Sequence, residues 1–351
     1  MPKTQIRWRD AYPALHLKAP ITWVRVSSGR SVNALSSEKP AALLALDWCV
    51  SRWQRQAAAP VPRLPEAAAA AACSDMRHHR GLRDSIDRPA LIWHDVARIR
   101  AVAPLVHSIT NFVVMNTTAN ALLALGASPV MAHAAEEVAD MAAAAAALVI
   151  NIGTLSPPWV ESMRLAMRSA ARAGRPIVFD PVGAGATAYR TESCRRLIEE
   201  TPPSIVRGNV SEIRAVAGAS STAKGVDSGD GAETALEPAR SLANRYQCVV
   251  VSGAVDLVVS AGRVVRVLNG HPIMPRVTGL GCTATALIGA FAAVNSSLPD
   301  AAAHAMAVMG IAGELAAAGS LGPGTFQVKF LDALYGLTEA DIRARLKMEI
   351  A

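Results

Sequence analysis

The stretch Thr-Gly-Leu-Gly-Cys at residues 278–282 is followed by the small, apolar run Thr-Ala-Thr-Ala-Leu-Ile-Gly-Ala-Phe. Its two glycines allow the backbone to take up positive φ and to approach a ligand closely. The apolar composition of segment 282–294 predicts a buried helix. The first N–H groups of any helix have no hydrogen-bond partner within the helix, so the space in front of them favours negative charge. Cys282 falls in the first turn, where a thiol is most easily shifted toward the thiolate.

This stretch therefore predicts an anion-binding helix start with a candidate base beside it. Transfer of a phosphoryl group to an alcohol needs this arrangement. The alternative is an ordinary Gly-x-Gly turn in front of a small buried cysteine.

Composition limits the class of protein. At 351 residues the chain can hold one large α/β domain or two small ones, and its 51% apolar content suffices for a sizeable core. No uncharged apolar stretch is expected to reach the length of a membrane-spanning helix, since candidates such as residues 142–150 are too short. The five cysteines are scattered without a CxxC pair, which favours a reducing cytoplasm over a disulfide framework or structural zinc.

Charge is distributed unevenly along the chain. Residues 1–100 hold 16 Lys and Arg against 8 Asp and Glu, whereas the remaining residues hold 19 against 20. The basic character belongs to the N-terminal segment, so it does not indicate a nucleic-acid-binding body.

Residues 1–90 differ in composition from the rest and are predicted to be a basic, Trp-, Ala- and Pro-rich extension. Five of the six tryptophans lie between Trp8 and Trp93, four of them within residues 1–90, and charges interrupt every possible apolar core of a secretory signal. Three interpretations stay open: a disordered extension, untranslated sequence ahead of a true start at Met76, or a small accessory module. Residues 91–351 are predicted to form the functional domain.

From about Asp95 onward, short β-rich runs alternate with helical runs. Such alternation predicts an α/β fold with a mostly parallel sheet covered on both faces. The predicted strands are 129–132, 147–153, 176–180, 204–207 and 248–252, with a hairpin at 257–260 and 263–268. The predicted helices are 112–125, 134–146, 157–173, 191–200, 210–217, 233–246, 282–294, 301–318 and 326–335. In such sheets, ligands bind at the carboxyl ends of the strands.

Polar residues follow several of the predicted strands. Asp180 can hold a phosphate-bound Mg²⁺ or can simply form an Asx-turn. Arg207 offers a fork of donors to a phosphate. Glu212 either lies near Mg²⁺ or completes a capping box with Asn209, and both can hold. Ser252 places a hydroxyl where it can meet a phosphate.

Another group of candidates lies nearer the N-terminus of this region. Asn111 precedes a predicted helix, where a simple cap is the alternative interpretation. Met131 stands near the end of the next strand and is more often a core residue there than a ligand contact. His107, just before the same helix, is more often a structural histidine than a catalyst.

Six motifs occur in order with compatible spacing: HSITN at 107–111, ANALLALGASPVM at 119–131, NIGTL at 151–155, DPVG at 180–183, IVRGNVSE at 205–212 and VTGLGC at 277–282. Together they resemble the hydroxyethylthiazole kinase family over about residues 95–340. The resemblance implies a ribokinase-like, three-layer α/β/α fold with a mostly parallel central sheet and no separate lid domain. It also implies ATP- and Mg²⁺-dependent phosphorylation of the primary alcohol of 4-methyl-5-(2-hydroxyethyl)thiazole.

The resemblance also implies roles for individual residues and an assembly. The implied residues are Cys282 as catalytic base; Met131, Gly279, Asn111 and Gly153 as thiazole contacts; Arg207, Ser252 and Gly281 as ATP contacts; and Asp180 and Glu212 around Mg²⁺. At Ser252, relatives often have threonine, so the hydroxyl is kept and a methyl is lost. The resemblance implies a cytoplasmic homotrimer with sites between subunits, and neither a nucleic acid nor a membrane is expected as a partner.

Three competing functions are kept. A kinase of the same fold can act on another small alcohol, such as hydroxymethylpyrimidine, although the motifs at 107–111 and Met131 disfavour it. An ATP-dependent dehydratase for hydrated nicotinamide cofactors shares the fold, but it has an aspartate where this chain has Cys282. A regulatory protein on an inert kinase scaffold would not need Asp180, Arg207, Glu212 and Cys282 together.

Overall fold

The computed structural model describes residues 87–218 and 231–351, so the predicted extension 1–90 lies almost wholly outside the described residues. The described strands are β1 (Leu105–Ile109), β2 (Ser128–Val130), β3 (Ala147–Asn151), β4 (Ile177–Asp180), β5 (Ile205–Asn209), β6 (Cys248–Ser252), β7 (Asp256–Ser260), β8 (Arg263–Val267) and β9 (Met348–Ile350). They form one sheet in the order β2-β1-β3-β4-β5-β6-β7-β8-β9.

The described helices are α1 (Arg88–Val102), α2 (Met115–Leu125), α3 (Val138–Ala144), α4 (Pro157–Arg172), α5 (Ala188–Glu200), α6 (Val210–Val216), α7 (Leu236–Ala243), α8 (Leu280–Ala292), α9 (Leu298–Ala318), α10 (Pro323–Gly336) and α11 (Glu339–Arg345). Short 3₁₀ turns lie at Ala232–Ala235 and Met274–Arg276. Helix α1 spans the predicted boundary at residue 90.

The sheet is parallel from β2 to β6 and antiparallel from β6 to β9. The predicted mostly parallel sheet is therefore confirmed. The predicted hairpin is confirmed as β7 and β8, which turn at Gly262 with φ +77°. Because every described strand belongs to this one sheet, no separate lid domain is present in the part of the chain that the structure describes.

Helices cover both faces of the sheet, which confirms the three-layer α/β/α architecture. Alternate side chains of a strand point to opposite faces. On one face, Val149 and Val178 pack with residues of α1, α2 and α8 to α11. On the other face, Ile150 and Phe179 pack with residues of α3 to α7. Each face buries its own apolar cluster, as expected of parallel strands whose residues are apolar throughout.

Several element boundaries differ from the predicted ones. The predicted helix 134–146 begins only at Val138, after a turn. The predicted helix 233–246 is a 3₁₀ turn followed by α7, whose third residue, Pro238, has no N–H to continue the preceding hydrogen-bond pattern. The predicted helix 112–125 begins at Met115. Elements α1, β1, α11 and β9 were not predicted.

Helix α9 is longer than the apolar stretches considered above, but it carries Asp300 and Glu314, so it does not contradict the expectation about uncharged stretches. It is 21 residues long, its mean hydropathy reaches 1.4 over an 18-residue window, and 78% of that window is buried in the fold. Length and composition alone would allow it to span a membrane. Its burial between α8 and α10 identifies it as a core helix of this domain.

Helix α8 lies very close to the sheet. A Cβ atom on Gly289 would stand 2.5 Å from Cγ2 of Val149 and 3.3 Å from Cγ1 of Val106. Val149 is buried on a β-strand and has little freedom to move. The missing side chain at Gly289 therefore sets the distance between α8 and the strands that carry the site.

We expect Gly289→Val to lower the free energy of unfolding by about 2 kcal/mol or more, because the added atoms overpack this contact. The matched control is Gly324→Val, since a Cβ at Gly324 in α10 meets no atom within 4 Å. Denaturant unfolding of both variants measures the difference. Equal effects at the two positions would contradict the close packing of α8 on the sheet.

Candidate functional site

Three polar side chains form a row across the carboxyl ends of neighbouring strands. Asn151 on β3 pairs with Asp180 on β4. The pairing of Phe179 with Val206 places Arg207 on β5 beside Asp180. All three lie on the face covered by α8, because residues two positions earlier in each strand pack in that layer. The sheet register thus brings an amide, a carboxylate and a guanidinium together in front of the start of α8.

The carboxylate of Asp180 is fully buried. Its Oδ2 accepts hydrogen bonds from Asn151 Nδ2 at 2.9 Å and from Thr285 Oγ1 at 2.7 Å, and Arg207 Nη1 lies 3.8 Å away. Its Oδ1 has no hydrogen-bond partner among the described residues. Burial raises the pKa of Asp180 to about 7; the charge of Glu212 acts in the same direction, and Arg207 opposes both.

Glu212 joins two strand ends through main-chain hydrogen bonds. Its Oε1 accepts from Gly183 N and its Oε2 from Asn209 N, both at 2.8 Å. Asn209 Oδ1 in turn accepts from Glu212 N at 2.9 Å, which confirms the capping box at the start of α6. The structural role of Glu212 is therefore fully formed, and it holds a second carboxylate close to Asp180.

Two carboxylates, those of Asp180 and Glu212, decide whether this site suits Mg²⁺. Within residues 87–218 and 231–351, no group of three or more His, Cys, Asp or Glu side chains is arranged to hold a metal ion. Mg²⁺ commonly uses only one or two protein carboxylates and takes its other ligands from water and substrate phosphates. The unpartnered Oδ1 of Asp180 is an oxygen of the required kind, so Asp180 and Glu212 fit a Mg²⁺ that reaches the protein with a nucleotide.

The start of α8 depends on its two glycines. Gly279 is the N-cap with φ +85°, and a Cβ there would lie 2.6 Å from Cγ1 of Val114. A Cβ on Gly281 would lie 3.0 Å from Nη1 of Arg207. The helix begins at Leu280, so Cys282 is its third residue, in the first turn as the sequence predicts. The guanidinium of Arg207 can therefore lie directly over this turn.

A cavity of about 1020 Å³ opens in front of this helix start. Arg207, Ser252 and Gly281, the three predicted ATP contacts, line it, and so does Gly279. Ser252 Oγ and Arg207 Nε are buried and have no hydrogen-bond partner in the described ranges. Apolar residues line another part of the cavity: Pro275, Ala284, Met306 and Met309. The cavity thus offers both free donors and an apolar wall.

A second group of predicted residues surrounds Cys282. Asn111 Nδ2 donates to Cys282 Sγ at 3.4 Å and to Asn151 Oδ1 at 2.9 Å. Gly153 lies against Asn111, since a Cβ there would stand 2.6 Å from Asn111 Nδ2. Met131 follows the edge strand β2 directly, and its carbonyl oxygen lies 3.2 Å from Nδ1 of His133.

The pKa of Cys282 shifts in the direction opposite to the sequence-based expectation. Burial raises the pKa of the thiol, and the nearby carboxylate of Asp180 raises it further. The amides of Asn151 and Asn111 and the charge of Arg207 lower it, but they do not compensate. In the protein alone, Cys282 is therefore a thiol and not a thiolate.

Sequence reasoning missed Asn151, Thr285 and Arg190. Asn151 stands at a strand end, and Thr285 lies one helical turn after Cys282, so both positions carried a weak signal. Arg190 on α5 donates to the carbonyl oxygens of Ile152, Gly153 and Val182, at 2.7 to 2.9 Å. No local pattern marks it, because its partners come from two other strand ends.

Comparisons with known proteins, by sequence and by structure, lead to the same enzyme family. The hydroxyethylthiazole kinase family model matches residues 96–340. A hydroxyethylthiazole kinase of Syntrophus aciditrophicus is 57% identical over 262 residues, covering 74% of this chain and 97% of that protein. One of Nitratidesulfovibrio vulgaris (strain DSM 19637 / Miyazaki F) is 55% identical over 258 residues, covering 73% of this chain and 97% of that protein.

Among solved structures, the hydroxyethylthiazole kinase protein from Pyrococcus horikoshii OT3 is 46% identical with a TM-score of 0.69, covering 75% of this chain and 99% of that chain. A pyridoxal kinase from Staphylococcus aureus, at 14% identity and a TM-score of 0.52, covers 71% of this chain and 98% of that chain. The second likeness concerns the fold alone.

The raised pKa of Asp180 predicts an inverse relation between stability and pH. An unfolded Asp180 ionises near its ordinary pKa of 3.8, whereas the folded one ionises near about 7. Between these values the folded state binds more protons, so stability falls as the pH rises. Without nucleotide and Mg²⁺, we expect Asp180→Asn to be more stable than the unchanged protein at pH 8, by on the order of 2 kcal/mol, and to lose this advantage at pH 4.

Thermal unfolding at both pH values measures this effect. The matched control is Asp332→Asn, which changes an exposed carboxylate on α10. A stability difference for Asp180→Asn that is the same at pH 4 and pH 8 would contradict the raised pKa.

Proposed function

Because the chain belongs to the hydroxyethylthiazole kinase family, we propose that it phosphorylates the primary alcohol of 4-methyl-5-(2-hydroxyethyl)thiazole, using ATP and Mg²⁺. One observation supports this most strongly. A buried carboxylate, a guanidinium and the N-terminus of α8 converge with Cys282 at one edge of the sheet. Phosphoryl transfer depends mainly on such positioning and charge stabilisation.

The cavity in front of α8 suits a nucleotide. Its donors are Arg207, the hydroxyl of Ser252 and the free N–H groups at the helix start, and all of them favour phosphate oxygens. The apolar part around Met306 and Met309 offers a surface for a purine base. ATP placed in this way presents its terminal phosphate to the first turn of α8.

Asp180 and Glu212 would hold Mg²⁺ together with the nucleotide. The ion would supply positive charge to the phosphates and to the buried Asp180, whose unpartnered Oδ1 lacks a compensating donor in the described part of the chain. Less negative charge at Asp180 would also lower the pKa of Cys282, because the Asp180 carboxylate is one of the two causes that raise it.

Cys282 and Asn111 would receive the alcohol. Because burial and the Asp180 charge raise the pKa of Cys282, the thiol could accept the hydroxyl proton only as the thiolate that a compensated Asp180 would favour. A loose transition state releases the hydroxyl proton late, so such a base contributes little. We therefore assign Cys282 a modest role as proton acceptor. Gly153 and Gly279 allow close packing on this side, since a Cβ on Gly153 would lie 2.6 Å from Asn111 Nδ2 and one on Gly279 2.6 Å from Cγ1 of Val114.

We further propose that the protein works as a homotrimer in the cytoplasm, with sites between subunits. Phe112 and Val113 follow directly on Asn111, and each is 63% exposed. The Phe112 ring packs only partly, against Trp159 at 4.8 Å between centroids. An apolar surface beside the thiazole site suits a subunit contact, and Met131 would then serve the site of a neighbouring subunit.

The decisive experiment measures product formation from ATP and Mg²⁺ with hydroxyethylthiazole and, separately, with hydroxymethylpyrimidine. We expect phosphorylation of the thiazole only. The full chain and a shortened chain starting at Met76 should be compared, and equal rates would make residues 1–75 dispensable for activity. Turnover of the pyrimidine alone, or of neither alcohol while ATP still binds, would contradict the proposal and favour the other kinase, the dehydratase or the regulatory protein.

We expect Cys282→Ala to lower kcat by about 10²-fold, because a general base contributes modestly to a loose phosphoryl transfer. The KM for ATP should stay within about twofold, since Arg207 and Ser252 are untouched. Steady-state kinetics with the thiazole and ATP give both values.

The control is Cys248→Ala, which changes the cysteine at the amino end of β6, whereas Ser252 lies at its carboxyl end. This variant should retain the kcat of the unchanged protein. A loss beyond about 10⁵-fold in Cys282→Ala would mean that the role of the thiol is larger than proposed. A folded Cys282→Asp protein without activity would count against proton transfer at this position.

A further inference from the structure

We propose that Asn151 is a positioning residue for the reaction: it fixes the amide of Asn111 against Cys282 and ties that amide to Asp180. The inference rests on the proposed function, which gives Cys282 and Asp180 their roles. Asn151 itself does not line the nucleotide cavity and makes no hydrogen bond to Arg207. Its effect on the reaction is therefore expected to pass through Asn111, since Thr285 still donates to the same oxygen of Asp180 when Asn151 is changed.

Main-chain donors fix the direction of each amide. Gly153 N donates to Asn151 Oδ1 at 3.0 Å, and Val113 N donates to Asn111 Oδ1 at 3.1 Å. A backbone N–H can only donate, so the oxygen of each side chain must face it. The nitrogen of Asn151 then faces Asp180, and the nitrogen of Asn111 faces Asn151 Oδ1 and Cys282.

Burial makes this chain of hydrogen bonds stiff. Asn151 is 1% exposed and Asn111 is 4% exposed, so water offers neither amide a substitute partner. Turning either amide over would set like atoms against each other and leave buried groups unpaired, which costs about 1–3 kcal/mol per group. One orientation is therefore strongly favoured.

The backbone around Asn151 is held from both sides. Its register opposite Asp180 is set by the pairing of β3 with β4. Arg190 binds the carbonyl oxygens of Ile152 and Gly153 just beyond it, at 2.9 and 2.7 Å. Asn151 is thus a rigid reference point between the two strand ends.

This chain of hydrogen bonds restricts the orientation of the Cys282 thiol. The Asn111 nitrogen carries two hydrogens; one is directed at Asn151 Oδ1 and the other at Cys282 Sγ. The sulfur is therefore an acceptor on this side, and its own proton must point elsewhere. Without Asn151, Asn111 would lose one of its two acceptors and could turn its nitrogen away from the sulfur.

A double-mutant cycle in the full chain tests the proposal. We expect Asn151→Ala and Asn111→Ala each to lower kcat by about 10- to 100-fold, because misplaced groups cost this much. The KM for ATP should stay within about twofold, since the ATP contacts are elsewhere. If Asn151 acts through Asn111, the double variant should be no more than about twofold slower than the slower single variant.

Thr285→Val provides the matched comparison. Thr285 donates to the same oxygen of Asp180 but makes no hydrogen bond to Asn111. Combined with Asn111→Ala, its effect on kcat should multiply, since the two act independently. Asn244→Ala, an exposed asparagine at the end of α7, should keep full activity.

Each outcome is decisive. Full activity of Asn151→Ala, or an effect that multiplies with Asn111→Ala, overturns the positioning role while the kinase activity of the unchanged protein stands. An unchanged protein that does not phosphorylate the thiazole overturns the proposed function itself. If Asn151→Ala does not fold, the same cycle with Asn151→Ser decides, because its hydroxyl can still accept from Gly153 N but is too short to reach both neighbours.

Discussion

The burial of the Asp180 carboxylate at the end of a parallel strand is the constraint on which the rest of the site depends. A buried ionised group is tolerated only where donors or opposite charge compensate it. Two side-chain hydrogen bonds and a guanidinium at 3.8 Å give partial compensation, and burial still raises the pKa to about 7. The protein alone is therefore short of positive charge at this point. In the proposed function, a nucleotide that brings a divalent cation would supply it, and substrate binding would then also relieve this electrostatic cost.

Close approach of backbone to side chains explains how so many groups fit around one carboxylate. Gly279, Gly281 and Gly289 lie along a single helix, and a methyl group on any of them would meet a neighbour at 3.0 Å or less. A methyl group on Gly153 would likewise lie 2.6 Å from Nδ2 of Asn111. These positions allow α8 to lie directly on the strands and the guanidinium of Arg207 to cover its first turn. The geometry of the site is thus set as much by the side chains that are missing as by those that are present.

The sequence predicted the layered fold because buried parallel strands are continuous apolar runs, of which Ala147–Asn151 is the plainest case. It also predicted Asp180, Arg207 and Ser252 as one cluster, since the carboxyl ends of parallel strands meet at one edge. Boundaries in alanine-rich segments failed, as at α3, because alanine marks neither a start nor an end. The direction of the Cys282 pKa shift could not be read locally, because it depends on burial and on a carboxylate from another strand. Arg190 escaped notice for the same reason, since tertiary contacts alone define what it does, whereas Asn151 carried only the weak signal of a polar residue at a strand end.

The two outermost strands of the sheet, β2 and β9, have three residues each, and β2 carries Pro129 at its centre. Short edge strands and an edge proline leave little free backbone for another chain to extend the sheet. Within the described ranges, neither edge of the nine-stranded sheet therefore offers a long strand on which another copy could extend it. In the proposed trimer, copies would instead meet through side-chain surfaces such as Phe112 and Val113, and a closed ring would leave no free surface of this kind for further growth.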